Sequence, residues 1–380
     1  MTKRVLFLAP FIFPKQEAGA TRLTMLGLSL RAKGVDVDYC GFGEETISDG
    51  MRYRTLNPFF SGHKVLNWAA WRLQPLLFIG FALTHLHAYD AVVCSFLSAP
   101  VTNWIKRRCS KLGVRFFVDC TEWYCPEEFP KGETDPSYRD HIRLLTDVID
   151  STVRVIAIST FLEDHFKNAG CSVLRIPAIL DSEELGGSRC GSADEKPVRV
   201  TYAGSPGVKD SIDVVLSAVT MLSPAVRAGL EFHLYGIASE NLPKMVDGHP
   251  LPANIIAHGR VSRPEVVDAL RQSDFTILMR NPELTFAKAG MPTKVTESLS
   301  CGVPVIANIT SDLGEYLNDE NAVIVSDFSV ASCAAALERA SRLPFAKRVE
   351  MSRAAFETAR SQLDYRVYAD WLYDFMFQGE

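Results

Sequence analysis

The chain has 380 residues, more than one ordinary hydrophobic core accommodates, so we expect two domains of somewhat fewer than about 200 residues each. Its formal net charge of −5 gives no support for wholesale nucleic-acid binding, and its 47% hydrophobic content is that of an ordinary globular protein. Nine scattered cysteines, without a CxxC pair or a His/Cys ligand spacing, in a chain with no signal peptide favour a reducing cytoplasm.

Apolar runs alternate with helical patterns along the whole chain, which is typical of parallel sheets joined by crossover helices. In the first half the pattern predicts helices at Thr21–Lys33 and Val101–Leu112, and strands at Val5–Ala9, Val35–Gly41, Ala91–Phe96, Arg115–Asp119 and Val153–Ile158.

One segment of the first half raises the question of membrane contact. Residues 75–86 are strongly apolar, but a membrane span needs about 20 apolar residues and polar residues interrupt the run upstream. The wider segment 59–81 mixes Trp68, Trp71 and two cations with apolar residues, a composition that suits a bilayer surface. Two interpretations stay open, a helix on a membrane surface and an amphipathic helix packed on its own sheet.

A linker divides the two halves. Between Asp181 and Pro197 the pattern dissolves into small and charged residues, so we predict domains at 1–182 and 198–360, a linker at 183–197 and a helical tail at 361–380. The second half predicts strands near Arg199–Ala203, Glu231–Tyr235, Phe275–Met279, Val303–Ala307 and Ala322–Val325.

Two such alternating units in tandem define the expected fold class. Each predicts a parallel sheet, and ligands bind at the carboxyl ends of the strands in open α/β sheets. We therefore predict an α/β fold with two Rossmann-like domains that face a central cleft.

The stretch from Arg280 to Asn308 carries the strongest local pattern. Gly290 frees the backbone, Pro292 suits the first helical position, and Gly302 suits the left-handed residue just past a helix end. The apolar run that follows is typical of a strand buried on both faces. The sequence therefore predicts a glycine turn, a short helix and a buried strand.

The start of that helix is a candidate anion site. Its first turn offers backbone N–H groups and a partial positive charge, to which Thr293 and Lys294 would add a hydroxyl and an ammonium. Glu297 follows Lys294 by three residues and shares its face, so the pair could bind a phosphate and sugar hydroxyls. The alternative is a plain i, i+3 salt bridge on a solvated helix.

A second glycine turn follows the first strand of the second half. Gly204, Ser205 and Gly207 are small enough to let backbone N–H groups approach a phosphate, and Lys209 supplies a point charge. Glycine turns after strands are common, so this pattern alone has low specificity.

Together these residues resemble a known family. A GxPxKxxE turn and helix followed by Gly-Val-Pro-Val-Ile (Gly302 to Ile306) resembles the donor site of GT-B glycosyltransferases, specifically the retaining GT4-like group. The segments RVLFLAP and GATRLTMLGLSLRAKGVDVDYCGF are similar to that family's first strand, glycine loop, helix and second strand. VRVTYAGSPGVK, at residues 198–209, resembles the opening strand and phosphate loop of its C-terminal domain.

The resemblance assigns the donor site. It implies that Lys209 and Lys294 contact the donor diphosphate and that Glu297 holds the ribose hydroxyls. Many members carry an arginine where this chain has Ser205, which makes Arg280 our candidate for the second cation. The alternative for Arg280 is a salt bridge to Glu283 or Asp274.

One departure concerns the donor sugar. Members often carry a glutamate eight positions before the ribose-binding one, and this chain has Ala289 there, which leaves the identity of the sugar open. Backbone N–H groups could still bind sugar oxygens in the predicted donor segment, which comprises Ala289, Gly290, Met291, Pro292, Thr293 and Lys294.

In the first domain, the resemblance points to two places. Gly19 and Ala20 would form the loop before the first helix and approach the diphosphate and the transferred sugar. Arg22 would serve an anionic acceptor or a phosphate, and a solvated surface arginine is the alternative. The expected catalytic residues are Asp119 or Glu122, beside Lys294 and Arg280.

The strand end at Val118 to Tyr124 belongs to the same predicted cleft. Many members have a histidine near it, whereas this chain offers Asp119 and Glu122 to orient an acceptor hydroxyl. Trp123 or Tyr124 could stack on a sugar ring. The alternative is that either carboxylate caps the following segment.

No metal motif of the DxD type stands out at a strand end, so we expect a metal-independent enzyme without a cofactor. Lysine, arginine and helix dipoles can neutralise a departing diphosphate. The resemblance implies retention through a same-face displacement in which the leaving phosphate oxygen takes the acceptor's proton.

The resulting hypothesis is a glycosyltransferase that moves a sugar from a nucleotide-diphosphate sugar, with a UDP- or GDP-sugar as expected donor, to a glycan or lipid-linked saccharide. The resemblance implies cell-surface polysaccharide synthesis, such as lipopolysaccharide or capsule, and a final helix that crosses back to the first domain. We expect no nucleic-acid partner and a cytoplasmic location with optional peripheral contact at the inner face of the membrane. The alternatives are a sugar-nucleotide epimerase, a phosphorylase or a non-catalytic nucleotide-sugar binding subunit.

Overall fold

The computed structural model describes residues 2–14, 17–56, 64–186, 197–205, 209–246 and 251–378, and only the backbone of 64–72, Lys244 and Val246. Two compact units emerge from the contacts, Met1–Ile179 with Tyr365–Glu380, and Leu180–Asp364. Gly207, the linker residues 187–196 and the side chains of Trp68 and Trp71 lie outside the described part.

The first unit, called unit 1, is built on an eight-stranded sheet of order β3-β4-β2-β1-β5-β6-β7-β8, parallel except for the pair β3 and β4. The strands are β1 (Arg4–Phe13), β2 (Asp36–Gly43), β3 (Thr46–Ser48), β4 (Met51–Thr55), β5 (Ala91–Cys94), β6 (Arg115–Cys120), β7 (Arg154–Ala157) and β8 (Ser172–Arg175). The helices are α1 (Ala18–Ala32), α2 (Lys64–His85), α3 (Ala99–Leu112), α4 (Pro136–Arg143) and α5 (Thr160–Asn168).

The second unit, called unit 2, has a six-stranded parallel sheet of order β11-β10-β9-β12-β13-β14. Its strands are β9 (Val198–Ala203), β10 (Leu230–Tyr235), β11 (Ile255–Gly259), β12 (Phe275–Leu278), β13 (Val305–Asn308) and β14 (Ala322–Val325). Its helices are α6 (Ser182–Leu185), α7 (Ile212–Met221), α8 (Pro224–Ala228), α9 (Arg263–Arg271), α10 (Thr285–Ala289), α11 (Thr293–Ser300), α12 (Leu313–Tyr316), α13 (Val330–Ser341) and α14 (Phe345–Thr358).

Both sheets have the same strand order around their first strand. In unit 2 the order by position in the chain is 3-2-1-4-5-6, the doubly wound order of dinucleotide-binding folds. In unit 1 the strands β1, β2 and β4 to β8 follow the same scheme. The prediction of an α/β fold with two Rossmann-like parallel sheets is confirmed.

The strongly apolar strands were predicted to within a few residues, and the omitted strands are β3, β4, β8 and β11. Three of these omitted strands, β3, β8 and β11, form the outer edges of the two sheets. Edge strands are short and partly solvated, so their sequences lack the continuous apolar run that marks a buried strand.

The C-terminal segment packs on unit 1. Its last helix, α15 (Ala369–Phe377), follows a 3₁₀ turn at Tyr365–Tyr368. Arg115 and Arg154, at the starts of β6 and β7, donate from Nη1 to the carbonyls of Met376 and Phe375 at 2.7 and 2.9 Å. Two cations therefore bind the negative end of the α15 dipole and fix the helix to the sheet.

No described helix is both long enough and apolar enough to cross a membrane.

Candidate functional site

The predicted donor residues gather at the carboxyl edge of the unit 2 sheet. The strand order reverses between β9 and β12, the point at which open α/β sheets bind ligands. Gly204 and Ser205 follow β9, Arg280 follows β12, and α11 begins at Thr293, after the short helix α10. Residues far apart in the sequence therefore line one crevice.

Lys294 is the centre of this crevice. Its Nζ bonds Oδ2 of Asp210, which also accepts from the Tyr202 hydroxyl at 2.8 Å, and it lies 5.1 Å from the centre of the Tyr202 ring. Burial and the neighbouring Asp210 carboxylate raise the pKa of Tyr202 far above its usual value, so its hydroxyl stays a donor. The Lys294 side chain keeps 30% of its surface exposed, so it can still meet a ligand.

Two glycines make room for this arrangement. A Cβ on Gly204 would lie 2.1 Å from Cε of Lys294, so a larger residue there would displace the lysine side chain from its present position. Gly236 follows β10 with a φ of 89°, and a Cβ there would lie 2.2 Å from the carbonyl oxygen of Gly204. The backbone beside the lysine is therefore fixed from both sides by close packing.

Arg280 braces the loop that precedes α11. Its guanidinium is buried and donates from Nη1 to the carbonyl of Gly290 at 3.0 Å and from Nη2 to that of Phe286 at 3.4 Å. Its backbone exchanges two hydrogen bonds with the side chain of Asn308, at 3.0 and 2.8 Å. Asp274, a predicted alternative partner, lies at the start of β12, where it accepts from Arg348 at 3.1 Å.

A buried aromatic ring brings two of the predicted cations together. Phe286 is fully buried, and Nζ of Lys209 and Cζ of Arg280 lie 5.9 and 5.2 Å from the centre of its ring. Such contacts hold cations over an apolar ring. With Lys294, the positive charges of three segments gather at the carboxyl edge of one sheet.

The first turn of α11 departs slightly from expectation. Pro292 is the N-cap residue and Thr293 the first helical residue, so the placement of Pro292 in the first helical position is wrong by one residue. Its φ of −71° fixes the entry of the chain into the helix all the same. Gly302 has a φ of 65°, which confirms the left-handed residue past the helix end.

Glu297 has a partner that the sequence did not suggest. Its Oε1 accepts from Nη1 of Arg263, the first residue of α9, at 2.7 Å. Lys294 pairs with Asp210 instead, so the alternative of a Lys294–Glu297 salt bridge is wrong.

In unit 1, Gly19 and Ala20 lie inside α1, which begins at Ala18. Their prediction as a loop before the helix is wrong by one turn. Ala20 is fully buried, and a Cβ on Gly19 would lie 2.2 Å from the Phe11 ring. Close packing of the helix on β1 therefore accounts for the small residue at position 19.

Arg22 and Asp119 form a buried ion pair. Nη2 of Arg22 lies 2.9 Å from Oδ1 of Asp119, and the side chains are 4% and 1% exposed. Arg22 also donates from Nη1 to the carbonyl of Pro177 at 2.6 Å. A solvated surface arginine is therefore wrong, and the pair joins α1 to the ends of β6 and β8.

The residues after β6 divide into packed rings and one half-buried carboxylate. Trp123 packs edge-on against Phe161 and His165 at 5.7 and 4.7 Å. Tyr124 packs against His141, whose ring centre is 4.4 Å away. Glu122 is half-buried.

Sequence reasoning missed Tyr202, Asp210 and Arg263. Asp210 directly follows the candidate Lys209, and Arg263 opens a helix with the capping pattern Ser262-x-x-Glu265. Neither pattern indicates which charge each residue meets, because the contacts join segments 34 and 84 residues apart.

Within the residues that the structure describes, no group of three or more His, Cys, Asp or Glu side chains is arranged to hold a metal ion.

Comparison with known families identifies a match within unit 2. Residues 197–342 match the family model described as glycosyl transferases group 1. The match spans β9 to α13 and so contains the whole crevice described above. No curated protein matches the sequence.

Solved structures of similar fold cover nearly the whole chain. Sucrose-phosphate synthase from Thermosynechococcus elongatus superimposes with a TM-score of 0.73 at 12% identity, over 99% of this chain and 98% of the other. Anabaena HepE, solved with UDP and glucose, gives 0.69 at 13% identity, over 99% and 100%. WaaG, a glycosyltransferase involved in lipopolysaccharide biosynthesis, gives 0.65 at 14% identity, over 99% and 100%.

These likenesses show the fold. The predicted GT-B architecture is confirmed, and the family match confirms a glycosyltransferase domain in unit 2.

Proposed function

We propose that this chain, a GT-B protein with a glycosyl transferases group 1 domain, transfers a sugar from a nucleotide-diphosphate sugar to a glycan or lipid-linked acceptor of the cell surface. The observation that carries the proposal is Lys294, held in the first turn of α11 at the strand-order reversal of unit 2. The complex of HepE with UDP-glucose supports the choice of donor, and the involvement of WaaG in lipopolysaccharide biosynthesis supports the cell-surface role.

The donor roles follow from the crevice. Lys294 and Lys209 bind the diphosphate, together with the first-turn amides of α11. Buried Arg280 adds positive potential and braces the loop of Ala289, Gly290 and Met291, whose backbone holds the sugar. Glu297 accepts from the ribose hydroxyls.

On the acceptor side, Glu122 is the carboxylate that we assign to the acceptor hydroxyl. Asp119 is already neutralised by Arg22, which leaves it a structural role at the end of β6. Trp123 and Tyr124 shape the neighbouring wall through their contacts with α4 and α5.

The chemistry requires the protein mainly to stabilise charge. As the glycosidic bond to the diphosphate breaks, negative charge grows on the leaving oxygen beside Lys294, Lys209 and the α11 dipole. In a same-face displacement the acceptor hydroxyl attacks the anomeric carbon on the side from which the diphosphate departs, so the configuration is retained. The leaving oxygen takes the proton of the attacking hydroxyl. A metal ion is not required for this, and activity should persist in EDTA.

Peripheral membrane contact belongs to the same proposal. Leu73, Leu76 and Leu83 lie along one side of α2 and are 52%, 62% and 50% exposed. A stripe at this spacing, on a helix that also carries Lys64 and Arg72, suits the surface of a bilayer.

The test is calorimetric binding of UDP, GDP and ADP to the metal-free protein, followed by transfer assays with the corresponding nucleotide sugars in EDTA. One preferred diphosphate and transfer without metal are expected. Sugar-nucleotide turnover without any acceptor would favour an epimerase, and binding without turnover would favour a non-catalytic subunit. Complete loss of transfer in EDTA, restored by Mg²⁺, would refute metal independence.

A further inference from the structure

Arg263 is a cation of unit 2 that is not among the residues assigned to the donor diphosphate. It is the first residue of α9, and its side chain is 45% exposed. Its Nη1 lies 2.7 Å from Oε1 of Glu297, which is 21% exposed. The contact joins two helices, α9 and α11, that flank the nucleotide crevice.

The contact with Arg263 fixes the orientation of the Glu297 carboxylate. A glutamate side chain has several rotamers, and a charge-assisted hydrogen bond to a planar guanidinium selects one of them. With Oε1 on Arg263, Oε2 is left to accept from a neighbouring donor. A ribose offers two adjacent hydroxyls, which suit a carboxylate fixed in this way.

We propose that Arg263 is a positioning residue for ribose recognition, acting through Glu297, and that the pair sets the preference for ribonucleotide over deoxyribonucleotide donors. The proposal rests on the nucleotide-sugar function proposed above. Arg263 itself need not contact the nucleotide.

An ordinary surface ion pair is the competing explanation. Exposed ion pairs contribute little to the stability of the fold. Loss of such a pair would leave the ligand preference unchanged. The two explanations differ in one measurable quantity, the ratio of affinities for a ribonucleotide and for its analogue without ribose hydroxyls.

The experiment compares UDP, 2′,3′-dideoxy-UDP and inorganic pyrophosphate by calorimetry in wild type, Arg263→Ala, Arg263→Lys and Glu297→Gln. Arg263→Ala should weaken UDP about five- to tenfold while leaving dideoxy-UDP and pyrophosphate nearly unchanged. Arg263→Lys should recover part of the loss. The double variant Arg263→Ala, Glu297→Gln should lose no more than the larger single variant, because the two side chains act as one unit.

A matched control is Arg342→Ala, which removes an exposed ion pair with Glu338 on α13 of the same unit. It should change none of the three affinities. An equal loss for UDP and dideoxy-UDP in Arg263→Ala would overturn the inference while leaving the proposed function intact. Failure of the wild type to bind UDP, GDP or ADP would overturn the proposed function itself.

Discussion

Replacing Lys294 by alanine tests the donor site most directly. The variant removes an ammonium at the start of α11 and leaves the Asp210 carboxylate, 9% exposed, without its lysine partner. A charge-assisted hydrogen bond to a phosphate contributes about 1.5–3 kcal/mol, which corresponds to a tenfold or greater loss of affinity.

The orphaned carboxylate adds a second penalty. An ammonium that bridges Asp210 and a phosphate places their oxygens about 5–6 Å apart. At that distance, with an effective dielectric constant of about 40, like charges repel by roughly 1–2 kcal/mol. We therefore expect Lys294→Ala to weaken diphosphate binding at least tenfold, and about a hundredfold or more if both effects act fully.

The assay is calorimetric titration with UDP in metal-free buffer. Lys288→Ala is the matched control, since this lysine is exposed on α10 of the same segment and should leave binding unchanged. Lys294→Ala with Asp210→Asn should recover several-fold affinity by removing the repulsion. Unchanged UDP affinity in Lys294→Ala would refute the role of the lysine.

Three further predictions follow from contacts in both units. Arg22→Ala leaves Asp119 buried and unpaired, so urea unfolding should show a loss of about 3–5 kcal/mol; a loss of activity at unchanged stability would mark the pair as functional instead. Gly236→Ala places a Cβ 2.2 Å from the Gly204 carbonyl oxygen and should weaken UDP binding at least tenfold. In the control Gly229→Ala the Cβ would lie 3.4 Å from the nearest atom, and UDP binding should be unchanged. Equal UDP affinities of the two variants would contradict the packing argument. Burial lowers the pKa of His233 and His258 from 6.5, so their protonation favours the unfolded chain; stability should be full above about pH 6.5 and decline as the pH falls below it. Urea midpoints across that range should show a smaller decline in His233→Gln, and an identical decline would show that other groups cause it.

The sequence alone determined the strongly apolar strands and the donor motif. Runs such as Val303 to Ala307 indicate buried strands because a parallel sheet covered on both faces needs continuous apolar residues. Gly302 was identified as left-handed from its place after a helix, and its φ of 65° agrees. These features depend on neighbours within a few residues, which a sequence displays directly.

Only the tertiary structure decided which charges meet. Lys294 pairs with Asp210 across 84 residues, Glu297 with Arg263 across 34, and Arg22 with Asp119 across 97. The alternatives drawn from local sequence were a salt bridge between Lys294 and Glu297 and a solvated Arg22, and both are wrong.

The physical reason lies in what specifies each feature. Strands and helix ends follow from local backbone chemistry and periodic burial, both of which are encoded in contiguous residues. A buried charge needs a partner, but the sheet order decides which segments become neighbours and therefore which partner it finds. Here the strand-order reversal between β9 and β12 assembled the crevice, and no single segment of the chain specifies that reversal.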